Sequence, residues 1–82
     1  SVLLYFKHLI KVKKYEQAYA LSKKINITEI DDESLFFIAE FYIIYEDYDL
    51  AMLYIKHIRL RLLLNKSSDV YKRIDYLMSL IP

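Results

Sequence analysis

Residues 35–58 read LFFIAEFYIIYEDYDLAMLYIKHI, and this stretch decides the fold. On either side of Glu46 and Asp47, apolar residues recur at spacings of three and four, which is the period of one face of an α-helix. The first set is Leu35, Ile38, Ala39 and Tyr42, and the second is Ala51, Ile55 and Ile58. A connection as short as Glu46-Asp47 makes two helices antiparallel neighbours. The stretch therefore predicts an α-hairpin.

The same period extends the helical prediction along the rest of the chain. Five helices are expected, at about residues 2–12, 15–25, 33–45, 48 to 63 or 64, and 69–80. Loops are expected at 26–32 and 65–68, where Ser68 is a candidate N-cap for the last helix. The connections inside the first two pairs are short. The prediction is one domain over residues 1–82, with two helical hairpins followed by a single amphipathic helix.

Composition supports an all-α chain and excludes several classes of function. The 82 residues include no glycine, no cysteine and one proline, and 56% of them are hydrophobic. Helices are the elements that glycine and proline penalise most, whereas phosphate-binding loops and dinucleotide-binding turns need glycine. Without cysteine there are no disulfides or thiolate metal sites, and a reducing cytoplasm is the expected setting. No run approaches roughly 18 uncharged apolar residues, so no membrane span is expected.

Charge is segregated along the chain although the net charge is only +1. Residues 1–24 carry +5, residues 25–50 carry −8, and residues 51–82 carry +4. Such blocks can pair inside the fold or form polar stripes on a binding surface. We favour pairing inside the fold.

An internal repeat relates the two hairpins. Lys14-Tyr15-Glu16-Gln17-Ala18 opens the second helix and Asp47-Tyr48-Asp49-Leu50-Ala51 opens the fourth. Both segments read charged residue, Tyr, acid, any residue, Ala, and Tyr15 and Tyr48 are 33 residues apart. Helix–turn–helix units that recur at a period of about 34 residues are typical of tetratricopeptide repeats.

On these residues the chain resembles the tetratricopeptide repeat (TPR) family, and the resemblance covers about residues 2–63. It implies repeat 1 at about 2–30, repeat 2 at about 32–64 and a capping helix at about 69–80, stacked as a TPR-like α-solenoid. In the first unit Phe6 stands where the family has a small residue and Leu9 where it has an aromatic one, which also allows a more general α-solenoid. The positions that carry the resemblance are Tyr15, Ala18, Ile25, Leu35, Ile38, Ala39, Tyr42, Tyr48, Ala51, Ile55 and Ile58.

The resemblance also implies a binding groove. In the family, the first helix of each pair lines a concave surface that holds a peptide. Carried onto this chain, the groove positions are Leu3, Lys7, Ile10, Lys11, Phe36, Glu40, Ile43 and Ile44. The third helix is apolar all round, which implies burial on several sides. Its surplus apolar residues could contact neighbouring helices, further repeats, a second copy or a peptide, and packing against helices is the favoured alternative.

No motif for catalysis, cofactor binding or metal binding is present. The serines lack a partner base, and the spacing of His8 and His57 does not suit a metal site. Carboxylates lie at helix starts, where the helix dipole explains them. We therefore expect a non-enzymatic protein–protein interaction module that binds a peptide or protein partner. Lys7 and Lys11, four residues apart on one helical face, could contact an acidic partner, but a solvated face is the favoured interpretation.

Two alternative functions remain open. The first is a structural or oligomerisation segment of a larger α-solenoid or of a homodimer, since the apolar excess implies an assembly. The sequence begins directly with a helical pattern and ends on a proline, which suggests a piece of a longer protein. The second, more distant alternative is a nucleic-acid-binding helical domain. Its basic patch would comprise Lys56, His57, Arg59, Arg61, Lys72 and Arg73.

Overall fold

The structure, a computed structural model, describes residues 1–62 and 67–82. Every regular element in these two ranges is helical, which confirms the all-α prediction. The helices are α1 (Val2–Lys11), α2 (Tyr15–Ser22), α3 (Asp32–Ile44), α4 (Tyr48–Arg61) and α5 (Ser68–Ser79), and a short 3-10 helix occupies Ile27–Glu29. Helix α1 packs against α2, α3 packs against α4, and α5 packs against α3.

Several helix ends differ from the prediction, most of them by one residue. Helix α2 stops at Ser22 rather than Ile25, because the amides of Lys24 and Ile25 bond carbonyls three residues back and tighten the chain. The N-cap of α5 is Ser67 and not Ser68, since the Ser67 hydroxyl accepts the Asp69 amide at 3.2 Å. The predicted end of α4 at 63 or 64, and the loop residues 65 and 66, lie outside the described residues.

The turns inside the two hairpins have the same backbone structure at a register of 33 residues. Lys13 and Glu46 have φ values of 63° and 66°, so both lie in the left-handed region. In each turn the left-handed residue donates its amide to the carbonyl three residues back, and the next amide reaches the carbonyl five residues back. These are the two bonds of a Schellman motif, which satisfies the last carbonyls of a helix. The repeat in the sequence is thus also a repeat in the backbone.

We expect glycine to stabilise both turns. A left-handed residue with a Cβ atom costs about 1–2 kcal/mol, and glycine's extra backbone entropy offsets only part of that gain. Lys13→Gly and Glu46→Gly should each raise the free energy of unfolding by about 0.5 kcal/mol in urea titrations followed by circular dichroism. The matched control is Lys56→Gly inside α4, which should lower it by about 1 kcal/mol. Losses at all three positions would contradict the left-handed turns.

The core lies between the hairpins and is centred on α3, which buries residues all round, as its sequence predicts. Five residues of α3 have at most 1% of their surface exposed, namely Ser34, Leu35, Ile38, Ala39 and Tyr42. Three alanines stand where the resembled repeats have a small residue, and we call these the small-residue positions. These alanines, Ala18, Ala39 and Ala51, are fully buried. Small side chains allow helix axes to approach closely. Tyr15 differs from the other repeat positions because it is 45% exposed.

Aromatic side chains dock the first hairpin onto α3. The Phe6 ring meets the ring of Phe41 edge-on, with centroids 5.2 Å apart, and the ring of Phe37 at 6.2 Å. From α2, Tyr19 meets Tyr42 edge-on at 6.2 Å and stacks on Tyr45 at 4.5 Å. Each such pair stabilises the fold by about 0.5–1.5 kcal/mol beyond the contribution of the apolar area that it buries. Helix α3 therefore contacts both helices of the preceding hairpin.

A polar seam crosses this apolar interface. The Tyr42 hydroxyl donates to Ser22 Oγ at 2.7 Å, and Ser22 Oγ donates to the Tyr19 carbonyl at 2.6 Å. The Tyr19 hydroxyl donates to Asp47 Oδ2 at 2.5 Å, while Asp47 Oδ1 accepts the Leu50 amide and caps α4. Burial raises the pKa of Tyr42, although the bond to Ser22 acts in the opposite direction. The seam joins α2, α3 and the start of α4 in one arrangement.

Removing the Tyr42–Ser22 bond should destabilise the fold. Tyr42→Phe is expected to lower the free energy of unfolding by about 1 kcal/mol, and Ser22→Ala by about 1–3 kcal/mol because it leaves a buried hydroxyl unpaired. A double-mutant cycle should give a coupling energy of about 1 kcal/mol. The control Tyr76→Phe, at an exposed tyrosine, should stay within about 0.5 kcal/mol of the parent. Strictly additive losses would show that the two hydroxyls do not interact.

The charge blocks pair inside the fold where the middle block meets the last one. Arg61 lies 3.4 Å from Asp32 and also donates to the carbonyls of Ile27 and Ile30, so it ties α4 to the link between the hairpins. Arg73 of α5 forms a two-bond ion pair with Glu33 at 2.8 and 2.9 Å. Among the described residues, both ion pairs join these two blocks. The preferred interpretation of the charge pattern is confirmed there.

Candidate functional site

One cleft, called the main cleft below, lies between the first hairpin and α3. Its volume is about 450 Å³. Its walls come from α1, the first residue of α2, and the C-terminal part of α3 with its C-cap. The lining residues are Ile10, Tyr15, Phe37, Glu40, Phe41, Ile44 and Tyr45. An open, mostly apolar cleft bearing one carboxylate suits an apolar segment with a defined polar contact.

The sequence of α3 builds this cleft because the helix has more large apolar residues than its hairpin can bury. Phe37, Phe41 and Ile44 follow one another at spacings of four and three, so they share one face. Phe37 is 40% exposed and Ile44 is 71% exposed. The Phe6 ring contacts the Phe41 ring edge-on, and the Tyr45 ring stacks on Phe41 with centroids 5.6 Å apart. The floor is therefore held by core packing.

Glu40 is the charged residue of the cleft. It is half-buried, and it also borders a second cleft of about 300 Å³ between α3 and α5. The second cleft is lined by Phe36, Glu40, Lys72, Arg73, Tyr76 and Leu77. Within residues 1–62 and 67–82, the Glu40 side chain makes no hydrogen bond and no ion pair. An unpaired carboxylate thus stands between two clefts.

Two cations near this region, Lys7 and Arg73, already have partners. The Lys7 ammonium donates to Ser34 Oγ at 3.1 Å and lies 5.8 Å from the centre of the Phe37 ring. The Arg73 guanidinium lies 3.9 Å from the centre of the Phe36 ring while it is paired with Glu33. Both contacts tie neighbouring helices to α3 and leave Glu40 free.

The predicted groove residues are only partly brought together. Ile10, Glu40 and Ile44 line the main cleft, and Phe36 joins Glu40 at the second one. Leu3, Lys7 and Lys11 line neither. Ile43 is 5% exposed, because α3 packs on several sides, and its side chain belongs to the core. The groove as a binding surface stays a prediction.

Four cleft residues were not assigned to the groove from the sequence. They are Tyr15, Phe37, Phe41 and Tyr45. Phe37 and Phe41 stand out in the sequence as surplus aromatic residues on α3, and that surplus is the signal that could have located the cleft. Tyr15 and Tyr45 carry no such signal, since helical periodicity places both on hairpin positions.

Comparison of the chain with models of protein families, with curated proteins and with solved structures found no match. No helix in the described ranges is long and apolar enough to cross a membrane. The class that the structure itself defines is a small all-α domain with a mostly apolar cleft between its hairpins. Function must be argued from that geometry.

The Glu33–Arg73 pair makes a pH-dependent contribution to the attachment of α5. The hydrogen bonds from Arg73, together with its charge, lower the pKa of Glu33 below the ordinary value of 4.5. A carboxyl group with a lowered pKa stabilises the fold above its ordinary pKa, and that contribution is lost as the pH falls through the lowered value. An NMR titration of the Glu33 carboxyl carbon should give a midpoint below 4.5, and Arg73→Gln should raise it towards 4.5. An unchanged midpoint in the variant would contradict the pair.

Proposed function

We propose that this chain is a TPR-like, non-enzymatic interaction module that binds a peptide or protein segment in the cleft between α1 and α3. The observation that carries the proposal is the cleft itself, in which Phe37 and Ile44 present apolar surface above a floor that packs on the core. Apolar surface held open by core packing is typical of partner-binding sites. The lack of cysteine supports a cytoplasmic setting for the module.

Three structural features support the TPR-like part of the proposal. The two hairpins share their turn structure at a register of 33 residues. Alanines at the small-residue positions are fully buried. Helix α3 packs against both helices of the hairpin before it, as successive units of a solenoid do. The cleft then lies between the first helices of the two units, where the family's groove would be.

Self-association or packing on further repeats is the second candidate, and exposed apolar residues outside the cleft favour it. Leu4 and Leu60 are 68% and 62% exposed, and Tyr5 is 55% exposed. Leu4 and Tyr5 are consecutive residues of α1, and large apolar residues grouped at a surface are typical of protein interfaces. We do not extend the proposal to nucleic acid, since Arg61 and Arg73 of the basic patch are engaged inside the fold.

Selection from a displayed library of random peptides, followed by calorimetry, tests the cleft. Ile44→Glu should weaken the selected peptides by about tenfold or more, because it places a charge where an apolar contact of about 1.5–3 kcal/mol is made. The matched control is Leu60→Glu, a similarly exposed residue of α4 outside the cleft, which should leave the affinity within about twofold.

Two results would contradict the proposal. Either no peptide is selected, or Ile44→Glu and Leu60→Glu weaken binding equally. Sedimentation measured alongside decides the second candidate: a dimer that Leu60→Glu dissociates and Ile44→Glu preserves would assign the apolar surface to self-association.

A further inference from the structure

We propose that the cleft recognises an arginine side chain of the bound peptide, with Glu40 as its counter-ion. The inference rests on the proposed function and deepens it by naming the chemistry of one contact. It starts from the juxtaposition of a half-buried, unpaired carboxylate with the rings of Tyr15, Phe37 and Phe41 around one cleft.

A peptide that binds over the cleft desolvates Glu40, and only certain partners can offset the free-energy cost of that desolvation. A peptide that fills the space between Ile10 and Ile44 also removes water from Glu40, which lines the same cleft. A carboxylate that loses water without gaining a partner is destabilised. A partner that brings a cation to Glu40 avoids that penalty, whereas a wholly apolar or acidic segment does not. The cleft therefore selects for a basic residue among apolar ones.

The chain's own cations do not fill this role. The Lys7 ammonium donates to Ser34 Oγ. Ser34 and Glu40 are six residues apart on α3, which is about 9 Å along the helix axis. Arg73 is held by Glu33. Lys72 borders the second cleft with Glu40, yet no ion pair joins them in the described chain. The Glu40 carboxylate remains available to an incoming group.

The aromatic walls favour a guanidinium over an ammonium group. A planar, weakly hydrated guanidinium stacks on rings and offers several donors to a carboxylate. The fold already uses this chemistry, since the Arg73 guanidinium lies 3.9 Å from the centre of the Phe36 ring and pairs with an acid at the same time. In the cleft, Phe37 at 40% and Tyr15 at 45% exposure provide the accessible rings.

Two matched peptides test the inference, acetyl-Leu-Arg-Leu-amide and the same peptide with citrulline, the neutral isostere of arginine. Titrations followed by amide NMR shifts should map both peptides to the residues of the cleft. The arginine peptide should bind about fivefold tighter than the citrulline peptide, as one ion pair and one cation–π contact at a partly exposed site provide. Glu40→Gln should abolish that preference, and Glu29→Gln, at an exposed acid outside the cleft, should keep it.

The outcomes separate this inference from the proposed function. Equal binding of the two peptides, or a preference that survives in Glu40→Gln, overturns the arginine contact and leaves the cleft as an apolar docking site. Shifts that map outside the cleft overturn the arginine contact as well. The proposed function fails by a different measurement, the equal effect of Ile44→Glu and Leu60→Glu on selected peptides. The NMR spectrum of each variant shows whether it folds.

Discussion

The packing of α3 between the first hairpin and α4 is the constraint on which the rest of the molecule depends. On one side Phe6 and Tyr19 dock their rings against Phe41, Tyr42 and Tyr45. Leu35, Ile38 and Ala39 are fully buried in the core that α3 forms with its neighbours. A helix that is apolar all round has no face suited to water, so its neighbours must cover it. The cleft lies where the described helices leave part of that helix uncovered.

The arrangement of the helices is specified by a few directional hydrogen bonds as well as by the burial of apolar surface. Apolar packing alone tolerates sliding, whereas the Tyr42–Ser22 and Tyr19–Asp47 hydrogen bonds hold α2, α3 and the start of α4 in register. Arg61 does the same for the link between the hairpins through two backbone carbonyls. The polar groups of the interface thus set the geometry that positions the floor of the cleft.

The acidic side chains of this chain have different roles. Asp32, Glu33 and Asp47 are engaged in ion pairs, hydrogen bonds or caps that join helices. Glu40 differs from them, because it lies in the middle of α3 rather than at a helix start and has no partner in the described chain. An exposed acid such as Glu29 keeps its water, whereas Glu40 is half-buried beside aromatic rings and has no partner among the described residues. This position gives the cleft a chemical preference.

The sequence by itself determined the helices, their pairing and the core. Periodicity and the short Glu46-Asp47 connection were sufficient for these, since helix formation and hairpin pairing depend on local patterns. It also located α3 as a helix with surplus apolar residues. Only the tertiary structure decided which of them stay exposed, placing Ile43 in the core and Ile44 at 71% exposure one residue later. The reason is that the face a neighbour covers depends on contacts between residues far apart in the chain, and no local period encodes those contacts. For the same reason Tyr15 and Tyr45 joined the cleft, and Glu40 has no partner among the described residues.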